Sequence, residues 1–76
     1  MEPLIVSDPG TLGGKPCIRG TRVSVEFILE LLASGAAPAQ VIETYPQVTP
    51  HGLEAALRYA ASALKNDVVL DTTVPA

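Results

Sequence analysis

Seventy-six residues, 47% hydrophobic and 17% charged, form one small domain with a packed core and exclude a disordered chain. A net charge of −3 and a pI near 4.8 exclude a broadly basic nucleic-acid binder, so any polyanion contact must come from a local patch. A single cysteine, Cys17, excludes an internal disulfide, and no apolar run reaches the roughly 20 residues of a membrane span.

The N-terminus lacks the basic start and long apolar region of a signal peptide, so the chain is expected to be cytoplasmic. Leu4–Ser7 is a short β-prone run, ended by the turn signal Asp8-Pro9-Gly10. The ten residues from Gly13 to Arg22 then hold three of the five basic residues, Lys15, Arg19 and Arg22, and three of the six glycines. This stretch carries +3 and leaves −6 for the rest of the chain. Two readings stand. The loop is either a landing place for a polyanion, or a tight hairpin whose glycines make turns and whose charges keep it soluble. Cys17-Ile18 and Arg22-Val23 flank a second turn at Gly20, so residues 1–23 predict a β-arm with a basic loop.

The first helix is expected to begin at Ser24, a good N-cap, although Phe27 stands where a capping box has Glu or Gln. Val25, Ile28, Leu29 and Leu32 share one helical face, widened by Phe27 and Leu31, and Gly35 is the stop signal. A second helix starts near Pro38, runs through Val41 and Ile42 to Tyr45, and is stopped by Pro46. The third has Thr49 as N-cap, Pro50 at its first position, and a long apolar stripe of Leu53, Ala56, Leu57, Ala60, Ala61 and Leu64. Asn66 closes it. The expected fold is therefore mainly α: a three-helix, helix-turn-helix-like core over 24–66 behind an N-terminal β-hairpin arm. Residues 1–66 form the single domain, and 67–76 form a tail carrying Val68, Val69, Leu70 and Val74. That tail is either a late strand on the protein's own hairpin or an arm for a partner.

Enzymatic chemistry finds no positive support. The glycine loop is not a phosphate-binding P-loop, because Pro16 follows Gly14-Lys15 where Ser or Thr belongs and Pro9 replaces the first glycine. Cys17 and His51 are the only soft metal ligands, too few for a structural zinc site, and Cys17 reads as a small buried hydrophobe. Glu26 and Glu30, four residues apart, read as a solvated face. His51 is expected to face solvent near the start of the third helix, with a phosphate or base contact as its functional reading. Arg58 would reach DNA if that helix entered a groove, or would pair with Glu54 four residues earlier. Neither a metal nor another cofactor is implied.

Gly-Gly-Lys-Pro-Cys-Ile-Arg-Gly-Thr-Arg-Val-Ser-Val, the Leu-Leu-Ala-Ser-Gly end of the first helix, Tyr45-Pro46, and Leu53 through Ala61 resemble the short bacterial antitoxin family catalogued as domain of unknown function 433. The resemblance runs from about Leu4 to Leu64. It implies a VapB-type antitoxin with a helix-turn-helix or homeodomain-like fold, which sequesters a PIN-like ribonuclease toxin and would also act at its own promoter. Ala37 departs from the polar cap common in that family, and the third helix is poor in basic residues. The tail has no arginine to enter an acidic nuclease site. The expected toxin contacts are therefore apolar, at Val68, Val69, Leu70 and Val74, and the expected DNA contacts are Lys15, Arg19, Arg22, His51 and Arg58. A homodimer is expected from the small core and the uncovered arm edge. The alternative is a stand-alone DNA-binding regulator with no toxin; a purely structural adaptor is a third class.

Overall fold

The computed structural model describes residues 3–65; the tail positions Val68, Val69, Leu70 and Val74 lie outside them. Strand β1 (Ile5–Ser7) pairs antiparallel with β2 (Pro16–Ile18), placing Ile5 opposite Ile18 and Val6 opposite Cys17. The turn leaving β1 forms as its residues dictate. Asp8 Oδ1 accepts from the Gly10 N–H at 2.9 Å, and the Asp8 carbonyl accepts from the Thr11 N–H at 2.8 Å. On the other side of β2, Cys17 bridges Ser24 and the Ile18 N–H donates to the Val23 carbonyl at 3.0 Å. The strand is thus held on both sides by short segments.

Three helices follow, each with a cap of different chemistry. Helix α1 (Val25–Ala33) starts at Ser24, whose Oγ accepts from the Phe27 N–H at 2.9 Å. It ends at Gly35, where φ is 108° and only glycine fits without strain; the Ala36 N–H then reaches back to the Leu31 carbonyl at 3.1 Å. Helix α2 (Pro38–Thr44) lacks a hydroxyl at Ala37, but Gln40 Oε1 accepts from the Ala37 N–H at 2.7 Å. This is the returning half of a capping box, working without its first half. Helix α3 (Thr49–Leu64) follows a single tight turn at Pro46–Val48. Thr49 stands at φ 60° and ψ 157°, outside helical space, and its Oγ1 accepts from the Gly52 N–H at 3.1 Å. Thr49 is therefore the cap, held in a backbone region otherwise used almost only by glycine.

The core collects Ile18, Val23, Val25, Ile28, Val41, Val48, Leu53 and Ala56, with Ile5 of β1 half-buried against it. Phe27 meets Tyr45 edge to face, with ring centroids 5.4 Å apart, joining α1 to the end of α2. Gly52 lets α3 lie close on β2, since a Cβ there would come within 3.3 Å of the Ile18 side chain. The apolar stripe expected along α3 is covered only in part. Leu53 and Ala56 are buried, Ala60 is half-buried, and Leu57 and Leu64 are 40% and 59% exposed. Position around and along the helix decides this: Leu57 stands between buried Ala56 and half-buried Ala60 yet is exposed, and Leu64 is the last residue of α3.

Candidate functional site

The basic loop is a fixed turn. Thr21 Oγ1 donates to the Ile18 carbonyl at 2.8 Å and accepts from the Val23 N–H at 3.0 Å, while the Thr21 N–H also reaches the Ile18 carbonyl at 3.0 Å. The Arg19 N–H donates to the Leu4 carbonyl at 2.7 Å, tying the turn to the start of β1. The threonine of the Arg-Gly-Thr-Arg run is thus a structural pin. Sequence reasoning weighed only the charges and glycines around it, yet Thr next to a turn glycine is a recognisable signal for such a local bond.

This turn brings the three loop cations around two adjoining clefts. Arg19 and Arg22 line one of about 470 Å³, with Val6, Cys17 and Thr21; Lys15 and Arg22 line the second, of about 270 Å³, with Ser24 and Phe27. Their charges are not equally available. Lys15 Nζ donates to Glu26 Oε1 at 2.8 Å, a link between loop and α1 that spacing alone does not reveal. That hydrogen bond, with the attraction of the Glu26 carboxylate, holds the Lys15 ammonium above its ordinary 10.5. Arg19 Nη1 donates to the Pro3 carbonyl at 2.8 Å. Arg22 makes no hydrogen bond or ion pair among the described residues, so it does not brace the turn through polar contacts.

The other two expected DNA contacts lie elsewhere, on α3, and line neither cleft. His51 is exposed in its first turn. Arg58 pairs with Glu54, Nη2 to Oε2 at 2.9 Å and Nε to the same oxygen at 3.1 Å. Cys17 is buried, with its thiol donating to the Lys15 carbonyl at 3.1 Å. Among the described residues no group of three or more His, Cys, Asp or Glu is placed to hold a metal ion, and no helix is long and apolar enough to cross a membrane.

A different surface opens on the opposite chemistry. Pro16 of β2, Val25 and Leu29 of α1, and Tyr59, Ala60 and Leu64 of α3 line a shallow apolar groove of about 270 Å³. Leu29 and Tyr59 are 36% and 40% exposed. The groove forms where α3 runs past α1, and Glu26 is the one charged residue at its rim. Periodicity placed Val25, Leu29, Ala60 and Leu64 on apolar faces and left Tyr59 off the stripe, without revealing that two such faces would remain open side by side.

Comparison with known proteins agrees with this architecture. The family described as "Protein of unknown function (DUF433)" matches residues 5–60. The crystal structure of a DUF433 member protein from Anabaena variabilis ATCC 29413 superposes with a TM-score of 0.79 at 29% identity, covering 86% of this chain and 64% of that one. The chain is also 33% identical over 57 residues to the uncharacterized protein y4eO of Sinorhizobium fredii (strain NBRC 101917 / NGR234). That match takes in 75% of this chain and only 26% of y4eO, so the chain spans about a quarter of that relative's length. With the family match running from β1 through most of α3, the chain belongs to the DUF433 family.

Proposed function

We propose that this protein is a VapB-type antitoxin: a non-enzymatic cytoplasmic homodimer that binds and neutralises a PIN-like ribonuclease toxin. In this reading α2 and α3 are the helix-turn-helix pair, and the tail aliphatics Val68, Val69, Leu70 and Val74 contact the toxin. The observation that carries it is the contrast between the two kinds of exposed surface. Lys15 and Arg58 are neutralised by Glu26 and Glu54, whereas Leu29, Leu57, Tyr59 and Leu64 remain open. Exposed aliphatic and aromatic groups on so small a domain favour a protein partner, and paired cations on a chain of net charge −3 disfavour DNA as the main one.

Action at the protein's own promoter is a secondary role here. Arg22, with Lys15 and Arg19 beside it, supplies phosphate contacts rather than base readout, and dimerisation doubles them. The test is co-expression with the nuclease encoded next to the native gene, scored by growth rescue and co-purification. Replacing Val68, Val69 and Leu70 with serine should abolish rescue while the circular-dichroism spectrum stays unchanged. Neither rescue nor co-purification by the unaltered chain, or operator binding by the isolated chain with no partner in the operon, would favour the stand-alone regulator. For that regulator, replacing Lys15, Arg19 and Arg22 with alanine should weaken DNA binding across sequences and flatten its salt dependence.

A further inference from the structure

We infer that β1 is the edge at which two copies of this protein join, pairing antiparallel into one four-stranded sheet with Val6 at the two-fold axis. The inference rests on the homodimer of the preceding reading and names its interface. β1 has a strand neighbour on one side only, since the described sheet has two strands in the order β1-β2. The register fixes where its backbone groups point. The Arg19 N–H donates to the Leu4 carbonyl at 2.7 Å, whereas the Ile18 N–H turns away to the Val23 carbonyl. Bonded and non-bonded pairs alternate in an antiparallel ladder, so Val6 bonds Cys17, and Ile5 and Ser7 turn their N–H and C=O groups outward. Pro16, which has no N–H to give, stands opposite Ser7 and agrees with that phase. Among the described residues no backbone partner meets the outward groups of Ile5 and Ser7.

A second copy supplies what this edge lacks, at the right spacing. With Ile5 facing Ser7 of the other chain, and Ser7 facing its Ile5, each chain donates two hydrogen bonds and accepts two. Val6 then faces its own mate across the axis. Leu4-Ile5-Val6-Ser7 carries neither proline nor charge, the usual devices that keep strand edges apart. The charges beside it are complementary. Asp8, Val6 and Arg19 line one cleft and so share one face of the sheet. In this register Asp8 of each chain comes opposite Leu4 of the other, and Leu4 stands next to Arg19. Two approaches of Asp8 to Arg19 therefore offset part of the repulsion between chains of net charge −3. Leu4, 37% exposed, and half-buried Val6 gain cover on the same face.

Pairing about an axis perpendicular to the sheet keeps the two Val6 faces on one side. The clefts lined by Arg19 and Arg22 then open on a common surface, with the two β2 strands about 14 Å apart at about 4.8 Å per strand spacing. The apolar groove between α1 and α3 contains no residue of β1, so this pairing leaves it to a different protein partner. A three-residue edge makes a small interface, and the dimer is accordingly expected at micromolar concentration.

The test joins cysteine cross-linking to sedimentation of the isolated full chain. Cys17→Ser first removes the thiol that Val6 faces within its own chain. In that background Val6→Cys should form a disulfide-linked dimer under a mild oxidant, because the two Cα atoms at the axis would lie about 4.5 Å apart. Ser7→Cys should give little cross-link, since its mate lies roughly 8 Å away, one strand over and two residues along. Ser7→Pro removes one outward N–H per chain and no bond within the chain. It should weaken the dimer about tenfold or more in sedimentation equilibrium and leave the circular-dichroism spectrum unchanged. A folded Ser7→Pro variant that dimerises as tightly as the unaltered chain would overturn the β1 interface and leave the homodimer standing. So would a sedimenting dimer in which Val6→Cys fails to cross-link. An unaltered chain that stays monomeric throughout the micromolar range would overturn both.

Discussion

The two halves of α3 carry the same apolar stripe and meet different fates. From Thr49 to Ala56 the helix is enclosed: Gly52 presses on Ile18, and Leu53 and Ala56 are buried among β2, α1 and α2. From Leu57 to Leu64 the stripe continues, but Leu57 is 40% and Leu64 59% exposed. Helical periodicity thus reports which residues seek cover, whereas the packing of neighbouring elements decides which of them receive it. The sharpest break between the halves should appear in a pair of truncations. Leu53→Ala should destabilise by about 2–5 kcal/mol, a large part of the total for a domain of this size. Leu57→Ala, one turn later, should cost less than about 1 kcal/mol. Chemical denaturation of both variants measures the difference, and equal losses would mean that the outer half is covered after all.

A second prediction sharpens the same contrast from the backbone side. At Gly52 an added Cβ would lie 3.3 Å from Ile18 Cδ1 and 3.3 Å from the Thr49 hydroxyl that caps the helix. Gly52→Val therefore forces both a core side chain and the cap to move, for a loss of about 1–3 kcal/mol despite the poor helix propensity of glycine. Ala61→Val, exposed on the outer half, carries only the smaller propensity difference of a few tenths of a kcal/mol. If Gly52→Val proves neutral in thermal unfolding, α3 and β2 are less closely packed than their contact implies.

The start of the inner half offers a third, of about 1 kcal/mol. Thr49 accepts the Gly52 N–H but stands at φ 60°, so one residue both stabilises and strains the helix entry. Thr49→Ala removes the hydroxyl and keeps the strain, at about 1 kcal/mol. Thr49→Gly removes both, so it should be the more stable of the two variants, although glycine normally loses more entropy on folding. The reverse order would show that the threonine backbone is relaxed.

These cases also show what the sequence made legible. Ser24, Gly35, Pro38, Pro46 and Thr49 mark helix ends through chemistry confined to three or four neighbouring residues, and each end formed where those residues stood. The β-arm and three helices were readable for the same reason. The site was legible only as a composition. A cluster of Lys15, Arg19 and Arg22 was plain, but the loss of Lys15 to Glu26, eleven residues away, depends on how α1 packs against the loop. Likewise the open groove needs two helices laid side by side, which no single periodicity encodes. At Ala37 the missing polar cap was visible, while its replacement by the Gln40 side chain became evident only from the geometry.

The smallest expected effect lies on the outward face of α3 and separates its charge from its packing. Arg58 and Glu54 are four residues apart in the favourable acid-first order, and the guanidinium places two N–H groups on one carboxylate oxygen. Their side chains are 78% and 58% exposed, so water and salt weaken the attraction. A double-mutant cycle of Glu54→Gln and Arg58→Gln should give a coupling of about 0.3–0.5 kcal/mol. Near 1 M salt, where screening acts over about 3 Å, most of it should vanish. A coupling above about 1 kcal/mol that survives salt would place a third group on the pair. Glu54→Gln also releases the Arg58 charge without touching the apolar stripe. If α3 lies in a DNA groove, that substitution should raise operator affinity; if the protein acts through its apolar surface, toxin binding should stay unchanged.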